Sequence, residues 1–206
     1  MSAIEHEVKL EVDAGFVMPD LGGGDASLVV TEMADLHLDA LYYDVADARL
    51  LDGGVTVRRR SGEGTRWTVK LPAPGPGTAR SVSRREVEFL TDDEDLPGEV
   101  VELVAPFADG GELVAVARLR SHRRRWRISS KAGTAIAEVD DDTVIAEAPG
   151  GEAPPVSFRE VEVEFDAAAP PARIEAMVAV LVGAGARAGD PRTKVERSLS
   201  LLGRRR

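Results

Sequence analysis

Charged and apolar side chains alternate with a period of two residues in the N-terminal segment of the chain. The charged positions are Glu5, Glu7, Lys9 and Glu11, and the residues between them are almost all apolar. Successive side chains of a β-strand point to opposite faces of a sheet, so the segment predicts a strand with one charged and one apolar face. Similar alternation recurs at 55–60, 66–71, 84–89 and 160–165. The fold must therefore give several charged faces and several apolar faces an environment of their own.

The size and composition of the chain indicate one soluble domain, which we expect to span residues 1–206. Hydrophobic residues make up 43% of the sequence and charged residues 30%, which is typical of a globular protein. The absence of cysteine excludes disulfides and thiolate metal sites. With no signal-like or membrane-spanning run, we expect a cytoplasmic protein and no membrane partner. The net charge of -10 argues against nucleic-acid binding, so no nucleic-acid partner is expected.

The local patterns predict a mainly β chain with helices inserted between the strands. Besides the alternating segments, strands are expected at 35–44, 113–129, 134–147 and 156–166, with a hairpin through Ser61–Gly64. Helices are expected at Pro97–Ala108, from Pro170-Pro171 onward and after Pro191, with short turns at Phe16–Leu21 and Ala46–Leu51. These elements predict an α+β fold with about eight antiparallel strands.

The alternation leaves two arrangements of the sheet open. In an ordinary barrel or sandwich, the apolar rows point inward and the charges lie in water. In the inverted arrangement, a closed antiparallel β-barrel has a tunnel lined by charges, and the helices pack on its apolar outside. The regularity of the charged rows, and the mixture of Glu-x-Glu and Arg-x-Arg on neighbouring strands, favour the inverted barrel.

Several segments resemble the motifs of the CYTH domain, the domain of the triphosphate tunnel metalloenzyme superfamily. EHEVKLEV is similar to the family's ExExK strand, and RWTVKLP to its WT.K strand. YYDVADARLLDGGVTVRRR resembles its YYDT…L…G..LR.R segment, with Val45 in place of the usual Thr. REVEF, RRRWR, AEVDDDTV and REVEVEF resemble its later charged strands, and AGARAGDPRTKVERSL its closing helix, with Thr193 in place of Ser. The resemblance spans essentially the whole chain.

The resemblance implies metal-dependent hydrolysis of a triphosphate substrate, which is inorganic triphosphate or a nucleoside or thiamine triphosphate. Arginine and lysine suit phosphate because they donate charge-assisted hydrogen bonds to its oxygens. The residues implied to bind phosphate are Lys9, Arg58, Arg60, Lys70, Arg123, Arg125 and Lys194. The place of Lys194 rests on the resemblance alone.

The resemblance also implies a site for Mg²⁺ or Mn²⁺, ions that prefer hard oxygen ligands. The implied metal ligands are Glu5, Glu7, Glu162 and Glu164. Further tunnel carboxylates are Glu86, Glu88, Glu138, Asp140 and Asp142. Glu5, Glu7 and Lys9 form the implied catalytic group. One metal would bridge phosphate oxygens, and a second would activate water for in-line attack on the terminal phosphorus.

Other readings of the same residues are left open by the sequence. A class IV adenylyl cyclase would share the fold and make cyclic AMP from ATP, and a non-catalytic module would only bind polyphosphate or a phosphorylated ligand. The carboxylates could simply pair with cations across strands. The arginine-rich stretch 118–127 could also be a nucleic-acid patch, but period two separates Trp126 and Arg124 from Arg123 and Arg125. We therefore interpret Trp126 as a core residue and Arg124 as a surface residue.

Overall fold

The computed structural model of the protein describes residues 2–72, 82–91, 95–151, 153–166, 169–190 and 192–204, without the side chains of 2–6 and 82–84. Within these ranges the chain forms nine strands and four α-helices. The strands are β1 (Ser2–Glu11), β2 (Leu28–Asp44), β3 (Thr56–Ser61), β4 (Arg66–Pro72), β5 (Val82–Leu90), β6 (Val114–Ser130), β7 (Ala135–Glu147), β8 (Val156–Phe165) and β9 (Arg187–Ala188). The helices are α1 (Arg49–Asp52), α2 (Gly98–Ala108), α3 (Pro171–Gly183) and α4 (Lys194–Leu201). No helix in the described parts of the chain combines the length and the apolar character needed to cross a membrane.

All nine strands belong to one antiparallel sheet in the order β5-β4-β3-β2-β6-β7-β8-β1-β9. β1 also pairs with β5, using residues Ser2–Glu7, whereas residues His6–Glu11 pair with β8. The predicted antiparallel sheet with accompanying helices is confirmed. The closure of this sheet into a barrel stays a prediction.

The apolar faces of β3 and β4 are covered by α1 and α2. Val57 of β3 and Val69 of β4 are cross-strand partners, and both are fully buried together with Trp67. Val100 and Val104, one helical turn apart on α2, belong to the same cluster. This apolar row therefore lies beneath a helix.

A second apolar cluster joins β1, β6, β7 and β8 to α3. Val8 of β1 and Val139 of β7 both pair with Val163 of β8, and all three are buried against Met177 and Leu181 of the helix. The two clusters are separate, so the apolar row of β3 and β4 does not meet the apolar rows of β1, β6, β7 and β8. The ordinary arrangement with apolar rows inside is therefore wrong, and the charged rows share the opposite face of the sheet.

α4 differs from α2 and α3 because it packs on the charged face of the sheet. Val195 and Leu199 belong to a cluster with apolar residues of that face, namely Ala40, Tyr42, Ala117, Leu119, Val144, Ala146 and Phe158. Leu119 lies four residues from Arg123 on β6, so the two side chains point to the same face. The prediction that helices pack outside must be corrected for α4, because this end of the charged face is apolar and needs a cover.

One helical turn and one strand boundary also differ from the sequence-based predictions. The helical turn predicted at Phe16–Leu21 is absent from that segment, all of which is described. Pro19 lacks the backbone N–H that a helix uses, and Phe16 and Leu21 are instead buried in the α3 cluster. β2 begins at Leu28 rather than near residue 35, because its first residues pair with the end of β6 despite their irregular alternation.

Candidate functional site

The strand register brings the predicted site residues together in rows on one face of the sheet. Directly opposite residues of an antiparallel pair project to the same side. The rows across β6, β7, β8 and β1 are Arg123–Asp142–Glu160–Glu11, Arg125–Asp140–Glu162–Lys9 and Arg127–Glu138–Glu164–Glu7. The charged face is therefore a continuous surface and not a set of isolated ion pairs.

Most basic and acidic side chains of the charged face occupy different strands, although Glu86 and Glu88 of β5 lie beside the basic strand β4. The basic side chains of the cationic half are Arg58, Arg60, Arg66, Lys70, Arg123, Arg125 and Arg127, on β3, β4 and β6. The carboxylates of the acidic half are Glu7, Glu11, Glu138, Asp140, Asp142, Glu160, Glu162 and Glu164, on β7, β8 and β1. Lys9 is the basic exception within the acidic half. An anion would find donors on the cationic half, and a metal ion would find oxygen ligands on the acidic half.

Arg123 joins the two halves at their boundary. Its Nε and Nη2 atoms donate to the two carboxylate oxygens of Asp142 at 2.8 and 2.6 Å, and Nη1 contacts Asp140. Burial alone would lower the pKa of Arg123, but the charges of Asp142, Asp140 and Glu162 raise it well above its usual range. Arg123 is therefore a fixed cation.

Lys194, at the first turn of α4, reaches into the acidic half. Its Nζ lies 3.0 Å from Asp142 Oδ2 and 2.9 Å from Glu160 Oε1, and it also contacts Glu162. A capping box fixes this end of α4, because Thr193 Oγ1 accepts from the Glu196 N–H at 3.2 Å and the Thr193 N–H donates to Glu196 Oε2 at 2.9 Å. Burial would lower the pKa of Lys194, but the surrounding carboxylates raise it well above its usual range. The structure thus places Lys194 on the charged face.

Arg58 and Arg60 of the cationic half lie close enough for their charges to act on each other. The charge of Arg58 lowers the pKa of Arg60 to about 10, with further contributions from burial and from Arg123. Arg58 Nε and the hydroxyl of Thr68, its cross-strand partner, have no hydrogen-bond partner among the described residues. Buried donors without partners are uncommon in proteins, so this spot favours an anionic ligand.

Tyr42 lies beside Arg58, and the sequence analysis assigned no role to it. It lies opposite Arg58 in the β2–β3 pairing and forms a side-chain hydrogen bond with it. Burial would raise the pKa of Tyr42, but the charges of Arg58, Lys194 and Arg60 lower it overall. The parity of β2, which puts Tyr42 and not Tyr43 opposite Arg58, is the signal that would have found it.

The remaining predicted cations are paired with carboxylates of neighbouring strands. Lys9 Nζ lies 3.6 Å from Glu7 Oε1 and 3.4 Å from Glu162 Oε1. Lys70 Nζ lies 3.0 Å from Glu86 Oε2. Glu88 accepts from Arg66 Nη1 at 3.1 Å, and Glu138 accepts from Arg125 Nη2 at 3.1 Å. In this arrangement each cation can exchange its carboxylate for a phosphate oxygen without leaving the charged face.

The acidic half has donors of the kind that Mg²⁺ and Mn²⁺ require. Burial raises the pKa of Glu164, and the neighbouring Glu7, Asp140 and Glu138 add to this rise against the effect of Lys70. The carboxylate oxygens of Glu7, Glu162 and Glu164 are hard donors, so the donor chemistry fits such an ion.

Among the described side chains, however, no group of three or more His, Asp or Glu residues is close enough to enclose a metal ion. The backbone of Glu5 pairs with Arg84 of β5, but the side chain of Glu5 lies outside the described residues.

The arginine-rich strand β6 sends alternate arginines to the other face of the sheet. There Arg118 donates to Asp39 at 2.9 Å, Arg120 pairs with Glu147, and Arg124 stacks on Trp126 at 4.9 Å. Trp126 is buried in the α3 cluster, as predicted, and the side chain of Arg124 is 42% exposed.

The fold and the charged rows define a protein of the CYTH type. The sequence profile of the CYTH domain matches residues 3–180, and the chain belongs to this family. Two curated relatives from Mycobacterium tuberculosis, the uncharacterized proteins MT2285 and Rv2226, are each 29% identical over 144 residues, which is 69% of this chain. The chain spans only 27% of the length of these relatives.

Solved structures share the fold at low sequence identity. A Bacillus halodurans protein described as a candidate adenylate cyclase has a TM-score of 0.63 at 17% identity, covering 95% of this chain and 97% of its own. HpAC1 from Hippeastrum, described as a candidate adenylyl cyclase with a dominant triphosphatase activity, has a TM-score of 0.54 at 18% identity, covering 95% of both chains. These similarities establish the fold.

Proposed function

We propose that this protein hydrolyses a triphosphate with the help of a divalent metal ion, inside a sheet that closes into a tunnel. The observation that carries the proposal is the charged face itself, on which the arginines of β3 and β6 share one side of the sheet with the carboxylates of β7, β8 and β1. A polyphosphate chain matches this charge pattern because it is an anion that binds divalent cations.

The double pairing of β1 supports the tunnel. One half of β1 is paired with β5 and the other with β8, the strands at the two ends of the order β5-β4-β3-β2-β6-β7-β8. A sheet whose two ends pair with one strand has the connectivity of a barrel with staggered strands. The charged face is then the inner face, and α4 covers one end of it.

The basic residues hold the phosphates. Lys9, Arg58, Arg60, Lys70, Arg123, Arg125 and Lys194 supply donors from β1, β3, β4, β6 and α4. Arginine binds two phosphate oxygens with one planar group, whereas lysine acts as a point charge. Donors on several different elements fix the direction of the phosphate chain and stabilise the charge that grows on its oxygens during transfer.

Glu5, Glu7, Glu162 and Glu164 are the residues that would hold Mg²⁺ or Mn²⁺. When bound, such an ion supplies Lewis-acid stabilisation of charge on the phosphate oxygens. Lys9, which lies between Glu7 and Glu162, keeps these two carboxylates in place. We place Glu5, Glu7 and Lys9 in the catalytic group.

The test incubates the purified protein with tripolyphosphate, ATP or thiamine triphosphate, plus Mg²⁺ or Mn²⁺, and resolves the products by chromatography. Orthophosphate together with the corresponding diphosphate supports the proposal. Cyclic AMP and pyrophosphate from ATP would instead indicate a cyclase. Binding without turnover would indicate a non-catalytic module, and neither binding nor turnover would refute a phosphate site.

The variant Glu7→Gln should lose at least about 100-fold in kcat, because a neutral amide is a poor metal ligand, while its melting temperature stays close to that of the wild type. Glu102→Gln, on the exposed side of α2, removes the same charge and should keep full activity. Equal activity of the two variants would exclude Glu7 from the site.

A further inference from the structure

Glu63, in the turn between β3 and β4, reaches over the charged face and contacts arginines of two strands. Its Oε1 accepts from Arg125 Nη1 at 3.2 Å, and its Oε2 lies 3.8 Å from Arg60 Nη2. β3 and β6 are not neighbours in the sheet, because β2 lies between them. The carboxylate of Glu63 therefore bridges the cationic half.

The turn that carries Glu63 is fixed from both sides. Gly62 has a φ of +114°, and a Cβ atom at this position would lie 2.3 Å from the carbonyl oxygen of His37 on β2. Arg66 Nη2 donates to the carbonyl oxygen of Glu63 at 2.8 Å. Only glycine fits the approach of the turn to β2, so the sequence Ser61-Gly62-Glu63-Gly64 holds the carboxylate above the arginines.

The carboxylate of Glu63 occupies the position at Arg60 and Arg125 that an anionic ligand would take. Arg60 and Arg125 both belong to the residues proposed to hold phosphate, and a carboxylate presents two oxygens to guanidinium groups much as a phosphate does. The side chain of Glu63 remains 29% exposed, so water and ligands reach it. A phosphate that binds Arg60 and Arg125 must first displace Glu63.

We propose that Glu63 is an internal competitor of the polyphosphate at Arg60 and Arg125, an inference that rests on the proposed function of these arginines. The competition weakens the binding of every ligand that reaches both arginines. It also selects for ligands of high charge, because a weakly charged anion gains too little from two arginines to displace a carboxylate that is already attached to the same hairpin. Glu63 thus sets the charge that a ligand needs to occupy the site.

The experiment measures the dissociation constant of tripolyphosphate by calorimetry in the presence of EDTA, so that neither turnover nor metal binding contributes. Glu63→Gln should bind about tenfold more tightly than the wild type, because the amide competes poorly for the two arginines. Glu63→Ala should bind more tightly as well, which provides an independent variant if one of them folds poorly.

The matched control is Glu147→Gln. Glu147 pairs with Arg120, is 28% exposed, and lies on the opposite face of the sheet, so its loss changes the net charge equally without touching the site. The affinity of the Glu147→Gln variant for tripolyphosphate should differ from that of the wild type by less than about twofold. Equal effects of Glu63→Gln and Glu147→Gln, or weaker binding by Glu63→Gln, would overturn the proposal.

The outcomes separate this inference from the proposed function. If the wild type hydrolyses a triphosphate but Glu63→Gln binds no more tightly, only the role of Glu63 is refuted. If metal-supplemented protein hydrolyses nothing but Glu63→Gln still binds tripolyphosphate more tightly, the competitor role stands and the proposed hydrolysis falls. If neither the wild type nor the variants bind tripolyphosphate in EDTA, the competitor role falls, and if metal-supplemented protein also hydrolyses no triphosphate, both proposals fall.

Discussion

The acidic half of the charged face depends on Lys194, and the variant Lys194→Met tests this dependence. Lys194 is only 12% exposed, Asp142 is fully buried and Glu160 nearly so. Methionine keeps the length and the apolar stem of lysine but removes its charge, so the substitution isolates the electrostatic contribution. We expect a large loss of stability at neutral pH.

The size of the stability loss depends on which cations remain beside each carboxylate after Lys194 is replaced. Removing one partner of a buried ion pair typically costs about 3–5 kcal/mol. Here the loss is smaller, because Asp142 keeps Arg123, Glu160 keeps Arg197 and Glu162 keeps Lys9. We therefore expect a decrease of about 2–3 kcal/mol in the free energy of unfolding, which corresponds to roughly 4–12 °C in the melting temperature of a domain of this size.

The effect should also depend on pH in a defined direction. Burial would raise the pKa values of Glu162 and Asp142, but Lys194 and the other nearby cations outweigh burial and hold both pKa values below their usual range. Carboxylates with lowered pKa values stabilise the fold above their unfolded-state pKa values, and this stabilisation is lost as the pH falls through the lowered values. The difference between the wild type and Lys194→Met should thus be largest near neutral pH and shrink as the pH falls toward and below about 4.

The assay is urea unfolding followed by far-ultraviolet circular dichroism at several pH values. Lys131→Met, at an exposed loop position, is the matched control and should change the free energy of unfolding by less than about 0.5 kcal/mol. Equal losses in the two variants, or a loss in Lys194→Met that does not change with pH, would show that Lys194 does not neutralise the acidic half.

Two further predictions test the packing of the β3–β4 turn against β2 and of α3 against the apolar face of the sheet. Gly62→Ala should cost about 2–3 kcal/mol because the new Cβ would lie 2.3 Å from the His37 carbonyl oxygen, whereas Gly64→Ala meets no atom within 4 Å and should cost about 1 kcal/mol of backbone strain. Similar melting temperatures of the two variants would contradict the close approach of the turn to β2. Leu181→Ala should cost about 3 kcal/mol in urea unfolding because Leu181 is fully buried in the α3 cluster, whereas Val182→Ala, on the exposed side of the same helix, should change stability by less than about 0.5 kcal/mol. A small effect at Leu181 would mean that α3 does not cover the apolar face.

The period-two pattern was sufficient to predict which side chains share a face. Val57 and Val69 face a helix while Arg58 lies on the opposite side, as alternation requires. This inference succeeds because strand parity is a local property, and a slip of one residue would expose a whole apolar row. The starts of α2 and α3 followed from proline at the beginning of each helix for an equally local reason.

Features that depend on contacts between distant segments could not be predicted from the pattern. The position of α4 depends on the apolar end of the charged face, which is assembled from four strands, so no single segment shows it. The contact between Glu63 and Arg125 joins residues 62 positions apart and depends on the fold of the hairpin over β2. The alternation of β2 could have shown that Tyr42 and Tyr43 point to opposite faces. The choice of Tyr42 requires the strand register, which pairs it with Arg58 of β3.

The row Glu138–Glu164–Glu7 places three carboxylates side by side across adjacent strands. Like charges directly opposite each other weaken a sheet, so a neutral residue at position 164 would make the folded protein more robust. A directed-evolution campaign that rewarded heat resistance alone would consequently discard the acidic side chains on which the proposed chemistry relies. The variants selected in this way would be thermally stable but would lack the proposed activity.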